Sequence, residues 1–240
     1  MKILAFDGTA KVASVAVADG DRILAYSTID NGLTQSELLL PMAEDMMKSL
    51  KLSYSDIDAY ATSVGPGSFT GVRIGVSLIK GLAFGRNIPC VEVSTLEALA
   101  ENLRGLEGVI IPCMDARRGQ VYSATFISDA QKLTRINDDR AISLSALAEE
   151  LREYDGKPIY ICGDGYDVAR KALIDKEINL ENTPSLLILE NAASVAMVAK
   201  KKIENGETVS DSEISPLYLR MPQAERERLE REAAKTEKTT

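Results

Sequence analysis

KILAFDGTAKVASVAVADGDRILAY, residues 2–26, is the stretch on which the fold turns. Its first six residues form an apolar run closed by Asp7, the pattern of a short buried strand. Val12–Ala18 and Arg22–Tyr26 flank Asp19-Gly20, a dipeptide that supplies the positive φ values of a two-residue hairpin turn. The chain is therefore expected to open with three antiparallel strands, the first ending at Asp7-Gly8-Thr9.

Helical periodicity follows. Thr34-Gln35-Ser36-Glu37 has capping-box spacing and opens a helix to about Leu50, with Pro41 inside it expected to bend it. Leu39, Met42, Met46 and Leu50 fall on one stripe, while Leu38 and Leu40 lie off it, so this helix is apolar on more than one side. Ile57–Val64 reads as a strand, Gly65-Pro66-Gly67-Ser68 as a sharp loop, and residues 69–84 as a helix with Ser68 at its N-cap. Gly71, Gly75, Leu78 and Leu82 share one face of that helix. A glycine inside a helix costs about 1 kcal/mol relative to alanine, so two on one face imply that another backbone approaches closely. A strand at Val91–Val93 and a second capping box at Ser94–Glu97 complete a β-β-β-α-β-α-β-α first half. The order defines an α/β protein.

The second half repeats strands before helices without a residue-level repeat. Strands are expected at 108–114 and 120–127 around the Asp115–Gly119 turn, a helix at 143–154, a strand at 158–162, and helices at about 165–175 and 191–204. The expected division is a first lobe at 1–104, a second at 105–221, and a charged tail at 222–240. The tail has one large apolar residue, Leu229, and five charges of each sign, the pattern of a frayed helix or a disordered arm.

Composition narrows the chemistry. The 240 residues carry a net charge of −8, which disfavours a stand-alone nucleic-acid binder. There is no histidine, which removes Ser-His-Asp and Cys-His catalysis, the HExxH zinc site and the usual general base near neutral pH. Three cysteines, Cys90, Cys113 and Cys162, lie apart in apolar segments and read as buried, unpaired thiols of a cytoplasmic protein. The opening apolar stretch is too short for a signal-peptide core, and no run approaches membrane-span length.

Two loops could carry chemistry. Asp7-Gly8-Thr9 has the placement at which an actin-like ATPase positions magnesium-bound water; a strand-end turn is the plainer reading. Gly65-Pro66-Gly67-Ser68 leads into a helix N-terminus, where free amides and the helix dipole favour anions. It lacks the Walker A ending and the dinucleotide glycine spacing, so a ligand loop and a tight turn under a close-packed helix stand level. Asp115–Tyr122, a hairpin tip whose two arginines could meet a phosphate or a carboxylate, reads as a solvated turn, and Gly163-Asp164-Gly165 as a turn, with a nucleotide-loop remnant as the alternative. The two apolar helices, 35–50 and 69–84, either pack wholly on their own sheet or also face a partner.

KILAFDGTAKVASVAV, QSELLLPMAEDMMKSL, VGPGSFTGVRIGVSLIKGLAF with VSTLEALA, DARRGQVY and PLYLR together resemble the TsaB (YeaZ-type) family of the glycoprotease-like group, almost continuously in the first half and sparsely in the second. The resemblance implies an actin-like/Hsp70-like ATPase (ASKHA) fold of two ribonuclease-H-like lobes. It implies an accessory role, without activity or metal of its own, in threonylcarbamoyl transfer to adenosine beside the anticodon of ANN-decoding tRNAs. The implied partners are TsaD, which carries the active site and a histidine-bound metal, and the ATPase TsaE. tRNA is met only through the complex, and a homodimer is expected when the chain is alone. On this reading Leu39, Met42, Met46, Gly71, Ile74, Gly75 and Leu78 form the partner interface. Asp7, Gly8, Thr9, Gly65, Gly67 and Ser68 form a vestigial nucleotide loop at most. Family members commonly have histidine where this chain has Thr34 or Gln35, and its absence here fits a structural role for that position. The competing class is an actin-fold ATPase or phosphotransferase acting alone through Asp7, Thr9 and the Gly65–Ser68 loop.

Overall fold

The computed structural model describes residues 1–220; the expected tail at 222–240 lies outside the described residues. Strands β1 (Lys2–Asp7), β2 (Ala13–Asp19) and β3 (Arg22–Ile29) form the expected antiparallel ribbon, with β3 running three residues past Tyr26. Helix α1 (Gln35–Leu50), strand β4 (Ala59–Gly65), helix α2 (Phe69–Ala83), strand β5 (Cys90–Ser94) and helix α3 (Thr95–Glu101) follow. The sheet order is β3-β2-β1-β4-β5, with β1, β4 and β5 parallel. At the start of α1 the Glu37 carboxylate accepts from both the backbone N–H and the hydroxyl of Thr34, in the expected capping box.

The faces of β1 show why this sheet is buried on both sides. Leu4 and Phe6 point toward α1 and α2, in a cluster with Leu39, Met42, Met46, Val72, Val76 and Ile79. Ile3 and Ala5 point the other way, into a layer rich in alanine. Small side chains at Ala5, Ala16, Ala59 and Ala61 let a helix lie close against the backbone.

The second half begins with β6 (Glu107–Asp115). The strand expected at 120–127 is two pieces, β7 (Gln120–Ser123) and β8 (Phe126–Asp129), pairing with opposite ends of β6. Strands β9 (Leu133–Arg135) and β10 (Arg140–Ser143), absent from the sequence reading, pair with β8 and β7. Helix α4 (Leu144–Leu151), strand β11 (Ile159–Cys162), helix α5 (Tyr166–Ile174) and helix α6 (Ala192–Glu204) complete the chain. β11 runs parallel to β6. Taking β7 with β8 and β9 with β10 as interrupted single strands, the second sheet repeats the arrangement of β3, β2, β1 and β4. The fold is one strand order used twice.

The expected lobe boundary needs one correction. Residues 192–220, placed by sequence in the second lobe, pack on the first. Ala192, Val195, Ala196, Val198 and Ala199 of α6 cover the alanine-rich face of the first sheet. Beyond it, Val209 bridges Cys90, Ile214 is fully buried in the first core, and the Leu217 N–H donates to the Val64 carbonyl at 2.8 Å. Helical periodicity shows that a helix has an apolar face, not which sheet that face covers.

Candidate functional site

The two loops singled out by sequence meet. Asp7, at the end of β1, is completely buried. Its Oδ1 accepts from the N–H of Thr9 at 2.9 Å and from the Thr9 hydroxyl at 2.7 Å, and its Oδ2 accepts from the Ser63 hydroxyl at 2.5 Å. Burial raises the carboxyl above its ordinary range, and the hydrogen bonds from Ser63 and Thr9 pull it back. Ser63 sits on β4 within an apolar run, and nothing in the sequence pairs it with Asp7.

Main-chain carbonyls cap the start of α2. The Ser68 N–H donates to the Thr9 carbonyl at 2.6 Å, and the Gly71 N–H donates to the Ser68 hydroxyl at 3.3 Å. Gly67 and Gly71 are glycines because the Thr9 and Gly8 carbonyl oxygens lie where a side chain would begin. Gly65 ends β4 beneath the main chain of Leu217. Gln35 packs against Gly8 and donates from Nε2 to the Ala10 carbonyl at 2.7 Å, holding the loop from the α1 side. The Gly8 and Thr9 carbonyl oxygens thus stand beside the start of α2, where an anion would meet the wrong end of a dipole. Asp7 is likewise engaged by three internal donors.

The expected partner face divides. Leu39, Met42 and Met46 are buried in the chain's own core, Gly71 faces Gly8, and Gly75 lies against the Thr62 hydroxyl. All five turn toward their own lobe, because a helix lying on a sheet buries its most apolar stripe. Ile74 and Leu78 remain half-buried, on a stripe that continues to exposed Gly81. Phe84, 80% exposed just beyond the end of α2, and Leu40, 37% exposed on α1, extend the apolar surface. Sequence reasoning placed Leu40 off the main stripe of α1 and missed Gly81 and Phe84, although Gly81 stands at helical spacing, i+7, from Ile74. Across the N-terminal turn of α2, the Arg73 guanidinium lies 3.8 Å over the Phe69 ring and donates to the Tyr218 hydroxyl at 2.7 Å.

In the second lobe, Asp164 follows β11 and its Oδ1 accepts from the N–H of Asp115 at 3.0 Å. Arg117 and Arg118 both take positive φ, 62° and 55°, at the tip of the β6–β7 turn. Among the described residues, no group of three or more acidic, cysteine or histidine side chains is placed to hold a metal ion. No helix among them is long and apolar enough to cross a membrane.

Two lobes with one repeated strand order, meeting at the ends of β1, β4 and β6, define an actin-like α/β protein. Component A of (R)-2-hydroxyglutaryl-CoA dehydratase from Acidaminococcus fermentans shares the architecture, with a TM-score of 0.50 at 11% identity over 85% of this chain and 99% of that one. A far nearer structure is a Pseudomonas aeruginosa protein described as similar to peptidase YeaZ, with a TM-score of 0.77, 25% identity and 91% and 99% coverage. The family model described as TsaD, tRNA N6-adenosine threonylcarbamoyltransferase, matches residues 34–228. The Bacillus subtilis tRNA threonylcarbamoyladenosine biosynthesis protein TsaB is 30% identical over 228 residues, which cover 94% of this chain and 96% of that protein. The chain belongs to the TsaB (YeaZ-type) family.

Proposed function

We propose that, within tRNA threonylcarbamoyladenosine biosynthesis, this chain is a non-catalytic scaffold that binds TsaD through the outer faces of α1 and α2. The observation that carries the reading is the apolar surface left on those helices after their inward stripes are buried: Ile74, Leu78 and Gly81 in line, with Phe84 and Leu40 beside them. A stripe with a glycine at its end admits a second helix at close range. The carbonyl oxygens beside the α2 N-terminus and the internally bonded Asp7 speak against a stand-alone ATPase or phosphotransferase. With a net charge of −8, the chain meets tRNA through its complex, in which TsaE joins the pair in the cytoplasm. The same apolar face serves a homodimer when TsaD is absent.

The test is light scattering after size exclusion of the full chain mixed with TsaD from the same organism, comparing wild type with Leu78→Arg and Ile74→Arg. A wild-type heterodimer, lost in variants that keep native circular dichroism, is the expected result. Failure of the wild type to associate at micromolar concentration overturns the reading, as does a complex indifferent to both substitutions. Gly75→Arg is the wrong probe, since Gly75 lies against Thr62 in the chain's own lobe and the arginine would disrupt the fold.

A further inference from the structure

Two segments cross between the lobes: the end of α3 leading to β6, and residues 185–191 returning to α6. Asn102 ties them together. Its Nδ2 donates to the Leu189 carbonyl at 2.8 Å, and its Oδ1 accepts from the Ser194 hydroxyl at 2.6 Å. The returning segment is held from both lobes. The Gly163 N–H donates to the Ile188 carbonyl at 2.5 Å, and the Ala192 N–H donates to the Ser14 hydroxyl at 2.9 Å. Glu190 lies in this crossing. It is 2% exposed, and neither carboxylate oxygen has a hydrogen-bond partner.

A buried carboxyl group without a partner is costly when ionised and tolerable when protonated. The groups around Glu190 reinforce this. Asp7 at the end of β1 and Asp164 after β11 are both acidic and both act on it across the cleft, and the Cys162 thiol of β11 is close by. Behind these stand Asp115, which with Lys11 bears on Asp164, and Cys113 of β6. Asn102 and Asn191 add only neutral amides. Burial first, and then the Asp7 and Asp164 charges, push the Glu190 carboxyl up to about 8, against a weaker downward pull from the main-chain amides of Glu190 and Asp164.

We propose that Glu190 is a proton-controlled latch on the hinge: the lobes stay closed around it, Asp7 and Asp164 only while it is protonated, and its ionisation drives the crossing segments apart. A partner that opens the cleft would then release a proton. Opening exposes the carboxyl to water, where it returns to the ordinary glutamate range. The opening equilibrium therefore rises about tenfold for each pH unit between about 5 and 8 and levels off above that.

Hydrogen exchange on the full chain, corrected for the intrinsic pH dependence of exchange, reads this directly. The Gly163 and Ala192 amides report the hinge, and Val15 and Val17 of β2 serve as internal controls. In the wild type, protection of the hinge amides is expected to fall about tenfold per pH unit across that window and to lie below that of the β2 controls throughout. In Glu190→Gln it is expected to stay flat. Wild-type hinge protection independent of pH, an equal slope in Glu190→Gln, or hinge protection no lower than that of the β2 controls would each overturn the proposal. Should Glu190→Gln not fold, Asp164→Asn is the second variant. Removing one repelling charge brings the levelling-off to lower pH, and an unchanged profile there counts against the latch.

Discussion

Substituting alanine at Gly71 and at Gly81 should change stability in opposite directions, although both lie in α2. A methyl carbon built on Gly71 would stand 1.9 Å from the Gly8 carbonyl oxygen, whereas one on Gly81 meets nothing within 4 Å. Ordinary contact needs roughly 3.5 Å, so at Gly71 the helix or the loop must give by more than 1 Å. The loop is pinned by the Asp7–Thr9 and Ser63–Asp7 hydrogen bonds and by Gln35 on Ala10, so the displacement breaks bonds. Overpacking costs about 1–3 kcal/mol, and losing the Ser68–Thr9 main-chain bond about 1 kcal/mol more. The better helix propensity of alanine returns about 1 kcal/mol. The net expectation for Gly71→Ala is a loss of about 1–3 kcal/mol; Gly81→Ala keeps the propensity gain of about 1 kcal/mol. For a chain of this size that means a melting temperature lower by roughly 2–12 °C in the first case and a few degrees higher in the second. Urea denaturation of both variants beside the wild type gives the comparison. If Gly71→Ala lies within about 0.5 kcal/mol of the wild type, the carbonyls are not fixed over α2 and the account of the filled anion site fails.

Ser63→Ala leaves Asp7 Oδ2 without its donor and should destabilise the chain by about 1–2 kcal/mol in urea titration. The folded-state pKa of Glu190 is raised, so its contribution is fully present below the ordinary glutamate value and is lost as pH rises toward 8; Glu190→Gln should therefore be more stable than the wild type by about 3 kcal/mol at pH 7, with the gap nearly closed at pH 5, as paired urea titrations would show. Cys90, Cys113 and Cys162 are buried, and burial pushes the first to about 11 and the second to about 12. Ellman's reagent at pH 7.5 should label none of the three in the native chain within minutes, and all three in denaturant.

The opening ribbon, α1 and α2 were legible because their signals are local. A buried apolar strand, Asp19-Gly20, and Thr34 and Ser68 at helix starts each act within a few residues. Strands β9 and β10 were not, since three or four residues such as Leu133-Thr134-Arg135 have no alternation to read and become strands only by pairing with β8 and β7. The same limit governed the helix faces. The sequence marked α1 and α2 as apolar on two sides, and only the position of the sheet decides which side is spent on it. Leu39, Met42 and Met46 were placed at the partner interface through the family resemblance and their shared stripe, and the apolar character of that stripe is what turns them inward. Glu190 is the extreme case. Before the N-cap Asn191 it reads as a loop acid, and only the crossing of two distant segments buries it.

The carbonyls over α2 join the failed anion site to the proposed docking face. A helix N-terminus leaves amides unsatisfied, and in nucleotide-binding folds phosphate satisfies them. Here the Thr9 carbonyl and the Ser68 hydroxyl satisfy two of them, those of Ser68 and Gly71, from within the chain. Arg73, stacked on Phe69 and bonded to Tyr218, pins the same turn from the outside. A helix fixed at its start and packed along Val72, Val76 and Ile79 presents Ile74, Leu78 and Gly81 in one rigid line. Rigidity before binding reduces the ordering cost that association would otherwise incur. The geometry that removes phosphate binding thus also preorganises a docking helix, and mutations in the Asp7–Thr9 loop should weaken partner binding without touching the partner.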